Sequence, residues 1–309
     1  MGSEMCIRDS LAFTVYINNL WGPIGTLTNM NVVMQATLTS ASKVFSLLDS
    51  QPTVTDAPNA IGLDRISGRI TFEDVNFGYD LHKLVLHNIN LTVEPGELIA
   101  LVGQTGSGKT TIVSLLCRFY DVTSGTIAVD QHDVRQVTQA SLRQQIGVVL
   151  QEPFIFTDTI ANNIRYARPE ATLEQVIRAA QLANCHDFIS LMPDAYDTFA
   201  QERGSQFSSG QRQLISIARA ILADPPILVL DEATSAVDSE TEALIQDALS
   251  TLMRDRTAFV IAHRLSTIRK ADQIVVMKDG RIVEIGNHQS LTKQANGHYA
   301  SLIRAQSTN

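Results

Sequence analysis

Two groups of residues in this sequence have the types and spacing needed to hold and cleave a polyphosphate. Gly103, Gln104, Thr105, Gly106, Ser107, Gly108, Lys109, Thr110 and Thr111 follow the apolar run Leu98–Val102 and lead into a helical stretch, Thr110–Phe119. Glycines let a backbone fold around phosphates, so that N–H groups and a helix N-terminus point at the anion. In that pattern Lys109 would reach the β- and γ-phosphates and the Thr110 hydroxyl would bind Mg²⁺. The second group ends the apolar run Ile227–Leu230, where Asp231 and Glu232 stand side by side. A strand placed there would deliver both carboxylates beside the phosphate loop. Asp231 suits Mg²⁺ coordination through water, and Glu232 suits the general base that polarises an attacking water. The chemistry is phosphoryl transfer to water.

The elements that must position these groups are legible as apolar runs. Leu98–Val102, Gly147–Leu150, Ile227–Leu230 and Ala258–Ile261 read as buried parallel strands of an α/β sheet, with helical stretches between them. Arg69–Val75 and Leu84–Val93 alternate and read as strands. Ala171–Cys185, Gln211–Ala223 and Glu240–Met253 read as helices. Gln273–Met277 and Arg281–Ile285 bracket the turn at Lys278, Asp279 and Gly280.

Upstream of these, Leu11–Met34 is apolar but broken by Asn18, Asn19, Pro23, Asn29 and Asn31, so a free-standing membrane span is not expected. Leu27, Asn31, Met34, Leu38, Ala41, Phe45 and Leu48 follow helical spacing, a seam along one face. Gln51–Ile61 reads as a linker. Composition sets further bounds. A formal net charge of −8 argues against broad nucleic-acid binding. Cys6, Cys117 and Cys185 are too few and too scattered for a disulfide framework or zinc site and are expected as reduced thiols.

Between the two chemical groups lie Phe207, Ser208, Ser209, Gly210, Gln211, Arg212 and Gln213, opening the helix Gln211–Ala223. Ser208, Gly210 and the helix N-terminus would offer donors to a second phosphate. This run resembles the signature sequence of ABC ATPases, with Phe207 and Ser209 in place of the commoner Leu and Gly. The resemblance implies that each signature, Ser208 to Gln211, completes the phosphate loop of a partner subunit, so that ATP is sandwiched between two copies. It also implies roles for single residues. Gln151 resembles the loop glutamine that contacts Mg²⁺ and couples to a membrane domain. Ser235, Ala236, Val237 and Asp238 resemble the loop crossing the dimer interface. His263 resembles the switch histidine on the γ-phosphate, and Tyr79 resembles the aromatic on which adenine stacks.

Three features narrow the type. Thr198–Gly204 resembles a segment of exporters that touches the coupling loops of the membrane domain. Gln151–Phe156 with Thr159, Ile160 and Asn162–Ile164 is also exporter-like, and Ala41–Asp49 resembles the end of a last membrane helix. The resemblance covers Leu11 to Gln306.

The expected fold is that of a P-loop NTPase. It comprises a RecA-like core with a parallel sheet, an antiparallel β subdomain and a helical signature subdomain, preceded by a long helix from a truncated membrane domain. Residues 1–10, where the string EMCIRDS resembles translated adapter sequence, are expected to be a non-native leader. Residues 11–50 are expected as the cytoplasmic end of the last transmembrane helix, 51–67 as linker and 68–309 as the nucleotide-binding domain. The implied function is ATP hydrolysis by a half-transporter with ATP and Mg²⁺. Its implied partners are a second nucleotide-binding domain, identical or paralogous, and its own membrane domain. The implied location is the cytoplasmic face of a cell membrane.

A soluble ABC ATPase of DNA repair or chromosome organisation is the first alternative. Gln151 and Ser208 lie too close together for its coiled-coil or zinc insertion. The second is the stand-alone ATPase of an importer, against which the upstream helix and Glu202–Gly204 count. A two-cassette regulatory protein would show a repeat, and none is found. Nothing in the sequence names the transported substrate.

Overall fold

The structure is a computed structural model that describes residues 2–80, 83–232, 238–262, 265–294 and 297–307. It divides into two units, Met1–Thr53 and Val54–Asn309.

The first unit is one helix, α1 (Gly2–Leu48), whose 47 residues span about 70 Å at 1.5 Å per residue. It runs through Pro23 without a break. Ser and Thr side chains along it bond back to carbonyls four residues earlier, as Thr26 does to Gly22 and Thr28 to Ile24. The expected seam is only part of its apolar surface. Phe13, Trp21, Met30, Val32, Val33 and Val44 are exposed as fully as Leu27 and Leu38, so apolar side chains occupy every face. A helix of that kind gains stability only by being enclosed. No helix among the described residues is long and apolar enough to cross a membrane.

The second unit begins with β1 (Ile70–Phe77), β2 (Leu86–Val93), β3 (Leu98–Gly103) and α2 (Lys109–Leu116). It continues with β4 (Ser124–Val129), β5 (His132–Asp133), α3 (Gln139–Gln144) and β6 (Ile146–Val149). Next come α4 (Ile160–Arg165), α5 (Leu173–Leu182), α6 (His186–Ser190) and α7 (Ser209–Ala223). After them follow β7 (Ile227–Glu232), α8 (Ser239–Met253), β8 (Thr257–Ala262), α9 (Leu265–Lys270), β9 (Gln273–Lys278) and β10 (Arg281–Gly286). The chain ends with α10 (His288–Thr292) and α11 (His298–Ser307).

These strands form two sheets. One is antiparallel, in the order β2-β1-β4-β5. The other runs β10-β9-β3-β8-β7-β6, parallel from β9 to β6 with β10 antiparallel at the edge. The parallel strands read as unbroken apolar runs because both faces of their sheet are covered. On β3, Ile99 and Leu101 pack with α2 and with the antiparallel sheet. Ala100 and Val102 pack on the other side with Ile164, Val176, Ile217 and Leu249 of the helices.

The segment expected as linker joins this unit from Val54 onward. Gln139 donates its N–H to Asp56 Oδ1 at 2.9 Å, and Ile61 pairs with Val137. The anchor is Arg118, only 2% exposed, just past the C-terminus of α2. Its guanidinium donates to the Val137 carbonyl at 2.8 Å, the Thr55 carbonyl at 3.1 Å and Asp121 Oδ1 at 3.1 Å, and lies 3.6 Å from Asp56. Removing one member of such a buried set strands the others without water. Arg118→Ala is therefore expected to cost about 3 kcal/mol, seen as a lowered urea midpoint of the second unit.

Among the three cysteines, Cys6 is exposed while Cys117 and Cys185 are buried and unbridged. Burial pushes the Cys117 thiol up to about 11 and the Cys185 thiol up to about 12. At pH 8 a thiol-titrating reagent is expected to label Cys6 alone in native protein, and all three residues only in denaturant.

Candidate functional site

The phosphate loop grows out of β3, which β8 and β9 flank. Three of its glycines have different reasons to be glycine. At Gly103, with φ +153°, an added Cβ would lie 2.3 Å from the Met277 carbonyl of β9. At Gly108, with φ +104°, it would meet the Leu86 side chain at 2.5 Å. At Gly106, with φ +81°, it would meet nothing within 4 Å. Gly103 thus lets the loop pack on its own sheet, Gly108 lets it pack against Leu86 of the antiparallel sheet, and Gly106 lines open space. Gly108 caps α2 without any side-chain acceptor, so the first N–H groups of that helix keep their capacity for an external anion.

Lys109 is 7% exposed, and its ammonium donates to the Gly103 carbonyl at 2.8 Å and the Gln104 carbonyl at 2.9 Å. Burial lowers its pKa from the ordinary lysine range, and the negative charge of Asp231 counters that shift. The interaction places Asp231 in the electrostatic reach of the loop. Register explains how: Asp231 pairs with Ile261 on β8, and Ile261 pairs with Leu101 on β3. Ser107, 5% exposed, keeps a buried Oγ with no hydrogen-bond partner among the described residues. An uncapped helix start, an open glycine, a buried ammonium and a neighbouring carboxylate fit a magnesium-bound triphosphate.

Glu232 follows on β7 and pairs with Ala262, the last residue of β8. The side chain of Glu232 lies outside the described atoms. His263, Ser235, Ala236 and Val237 lie outside the described residues. Asp238 is described, and it has a local duty that the sequence reading missed. Its Oδ1 accepts from the Thr241 N–H at 2.9 Å and caps α8, and the backbone hydrogen bond from Thr241 holds its carboxyl below the usual range.

Tyr79 leaves β1 next to the loop. Its hydroxyl lies 3.2 Å from Thr111 Oγ1 in the first turn of α2. Its ring meets Phe77 and Tyr120 edge-on, with centroids 5.0 Å away in each case. With 56% of the residue exposed, the ring keeps free surface beside the phosphate loop.

The signature region stands elsewhere. Phe207 is buried in the helical core and so takes the apolar role expected at that position. Ser208 caps α7: its Oγ accepts from the Gln211 N–H at 3.2 Å, and Gln211 Oε1 accepts from the Ser208 N–H at 3.0 Å. A hydroxyl oxygen that accepts in this way still has its own proton to donate. Ser209, Arg212, Gln151, Glu152, Phe154 and Arg203 line one groove of about 580 Å³. No phosphate-loop residue lines that groove.

The far side of the groove is stiffened by Arg219 of α7. It donates to the Asn163 carbonyl at 2.8 Å and the Phe154 carbonyl at 3.2 Å and lies over the rings of Phe156 and Tyr166. Asn163 returns an acceptor to the Phe156 N–H at 2.8 Å. The segment after Gln151 and the signature helix are therefore one hydrogen-bonded piece. The spacing of Asn163 and Arg219 gives no hint of this, because they meet only through the tertiary fold.

Residues 86–235 match the profile described as ABC transporter. An uncharacterised ABC transporter ATP-binding protein, YknV, of Bacillus subtilis is 47% identical over 306 residues, covering 99% of this chain and 50% of that protein. An ATP-dependent lipid A-core flippase of Pectobacterium atrosepticum is 50% identical over 289 residues, covering 93% of this chain and 49% of the relative. A bacterial Atm1-family ABC exporter solved with ATP bound superposes with a TM-score of 0.80 at 42% identity, covering 88% of this chain and 47% of that one. The chain thus spans about half the length of the relatives it matches.

The glycine geometry is testable. Gly106→Ala should cost about 1–2 kcal/mol of stability, the strain of a positive φ alone, yet weaken ATP binding at least tenfold in calorimetry. Gly103→Ala should do both, and more severely, because the new methyl strikes the Met277 carbonyl.

Proposed function

The chain belongs to the ABC transporter family and carries its exporter-type ATPase domain, and from that premise we propose that it powers export as one half of a closing dimer. The carrying observation is the separation of two phosphate-binding helix starts on one chain. The start of α2 is open beside Lys109, whereas Ser209 at the start of α7 lines a groove that contains none of the phosphate loop. The cavity at the phosphate loop and the groove at Ser209 share no lining residue. A second nucleotide-binding domain, facing the first, supplies Ser208 to Gln211 in trans and receives them in return.

Within each site, Gly103 to Thr111 hold the phosphates through backbone donors and the Lys109 ammonium, and Tyr79 carries the base. Thr110, Asp231 and Gln151 would hold Mg²⁺. The ion would supply positive charge against that of the phosphates. Glu232 orients water and takes its proton, and His263 steadies the γ-phosphate. Asp238 stands at the facing surface between the two domains. Charge stabilisation and alignment account for most of the acceleration in such a reaction.

The groove gathers Gln151, Arg203 and Arg212, which suits an inserted loop of the membrane domain. Its location between the segment after Gln151 and the signature helix would let one docking event report on both. α1, apolar on every face, suits enclosure by sister helices of a membrane domain, which would place this domain on the cytoplasmic face of a cell membrane. The relatives named as lipid A-core flippases make a lipid a reasonable first substrate to assay.

The test is the solution mass of Glu232→Gln by light scattering, with and without MgATP. A monomer that becomes a dimer only with MgATP is the expected result. A monomer under both conditions, with ATP demonstrably bound, would remove the homodimer reading and point to a paralogous partner.

A further inference from the structure

The aromatic beside the phosphate loop is held from both ends of one helix. At the N-terminal end of α2, Thr111 Oγ1 meets the Tyr79 hydroxyl at 3.2 Å. At the C-terminal end the chain turns tightly: Phe119 donates its N–H to the Ser114 carbonyl at 2.9 Å, and Arg118 adopts φ 49°. That turn presents Tyr120, whose ring stands at 85° to the ring of Tyr79 with centroids 5.0 Å apart. Phe77, 3% exposed, completes the cluster, 5.6 Å from Tyr120.

A single hydroxyl contact would leave the Tyr79 ring free to rock about its own axis. Its two edge-on neighbours, Phe77 just before it in the chain and Tyr120 after α2, each at 5.0 Å, remove that freedom, because the positive edge of one ring seeks the negative face of the other. Tyr120 itself is 41% exposed, and its ring packs on Tyr79 and Phe77, which is what its position provides. The loop around Tyr79 is clamped independently, since the Gly78 N–H donates to Thr123 Oγ1 at 3.3 Å just beyond the same turn.

We propose that Tyr120 is a positioning residue of the nucleobase platform: together with Phe77 it fixes the plane of the Tyr79 ring, and it thereby tunes the affinity for the base half of the nucleotide. The inference rests on the reading that Tyr79 carries the base. It makes the turn after α2 a part of nucleotide recognition, although that turn is remote in sequence from Tyr79. Because α2 also begins at the phosphate loop, base and phosphates are then read by one rigid body.

Binding of ATP and of inorganic tripolyphosphate, each with Mg²⁺, to the full chain carrying Glu232→Gln separates the possibilities by calorimetry. Tyr120→Ala is expected to weaken ATP about fivefold, the size of one edge-on aromatic contact, and to leave tripolyphosphate unchanged. Tyr120→Phe should restore ATP affinity, since the contact needs no hydroxyl. In the double variant with Tyr79→Ala the two losses should not add. Equal weakening of ATP and tripolyphosphate would reduce Tyr120 to a general support of the loop and overturn the proposal, as would additive losses. If Tyr79→Ala weakens ATP but Tyr120→Ala does not, the platform reading stands and the bracing role falls. If Tyr79→Ala itself has no effect, the platform reading fails first. Should Tyr120→Ala not fold, Tyr120→Leu keeps much of the volume without the ring and carries the same test.

Discussion

The ammonium of Lys109 sits almost out of solvent and holds the carbonyls of Gly103 and Gln104 at hydrogen-bond distance. A cation so placed loses hydration, and burial accordingly lowers its pKa; the charge of Asp231 works in the other direction. The contact pairs two loop carbonyls and holds the cation at the uncapped start of α2. Around that contact the rest of the sheet falls into place. Gly103 must be glycine so that β3 can lie against Met277, and β7 must sit one strand beyond β8 so that Asp231 stays within electrostatic reach.

The same logic separates the two halves of the second unit. The antiparallel sheet, α2 and one face of the parallel sheet share one apolar core, and the helices from α4 to α8 share another with the opposite face. The proposed nucleotide contacts belong to the first, and the signature helix with the segment after Gln151 to the second. Arg219 and Asn163 bind the second half together internally. Arg118 does so for the first, and it also fixes the chain at Thr55.

Much of this was legible in the sequence because it depends on local pattern. The four apolar runs became adjacent parallel strands, with boundaries shifted by one residue or two, because a strand buried on both faces must be apolar throughout. The phosphate loop was legible because glycine spacing is itself the geometry. The missed features share a different character. Arg118, Asn163 and Arg219 act through partners between 3 and 65 positions away, and no periodicity marks them. The packing of residues 54–67 on the cassette was missed because Pro52 and Pro58 signal irregular backbone without saying whether it docks. The last helix, α11, depends on Glu284 of β10, which accepts from the N–H groups of His298 and Tyr299 at 2.6 Å and 3.0 Å. A cap supplied from another element leaves no local signature at the helix it caps.

The two helix starts proposed to face phosphate differ in a way that bears on the order of events. α2 begins at a glycine with no side-chain cap, so its first N–H groups are satisfied only when something external accepts from them. α7 begins with a closed capping box between Ser208 and Gln211 and is complete before any ligand arrives. The first start therefore gains the more from an anion, and the second has a hydroxyl proton to give but little backbone need. A nucleotide would settle on the phosphate loop of one chain first, where the unmet donors are. The preformed signature of a second chain can then add its donor without reorganising, so that closure depends on what the first site already holds.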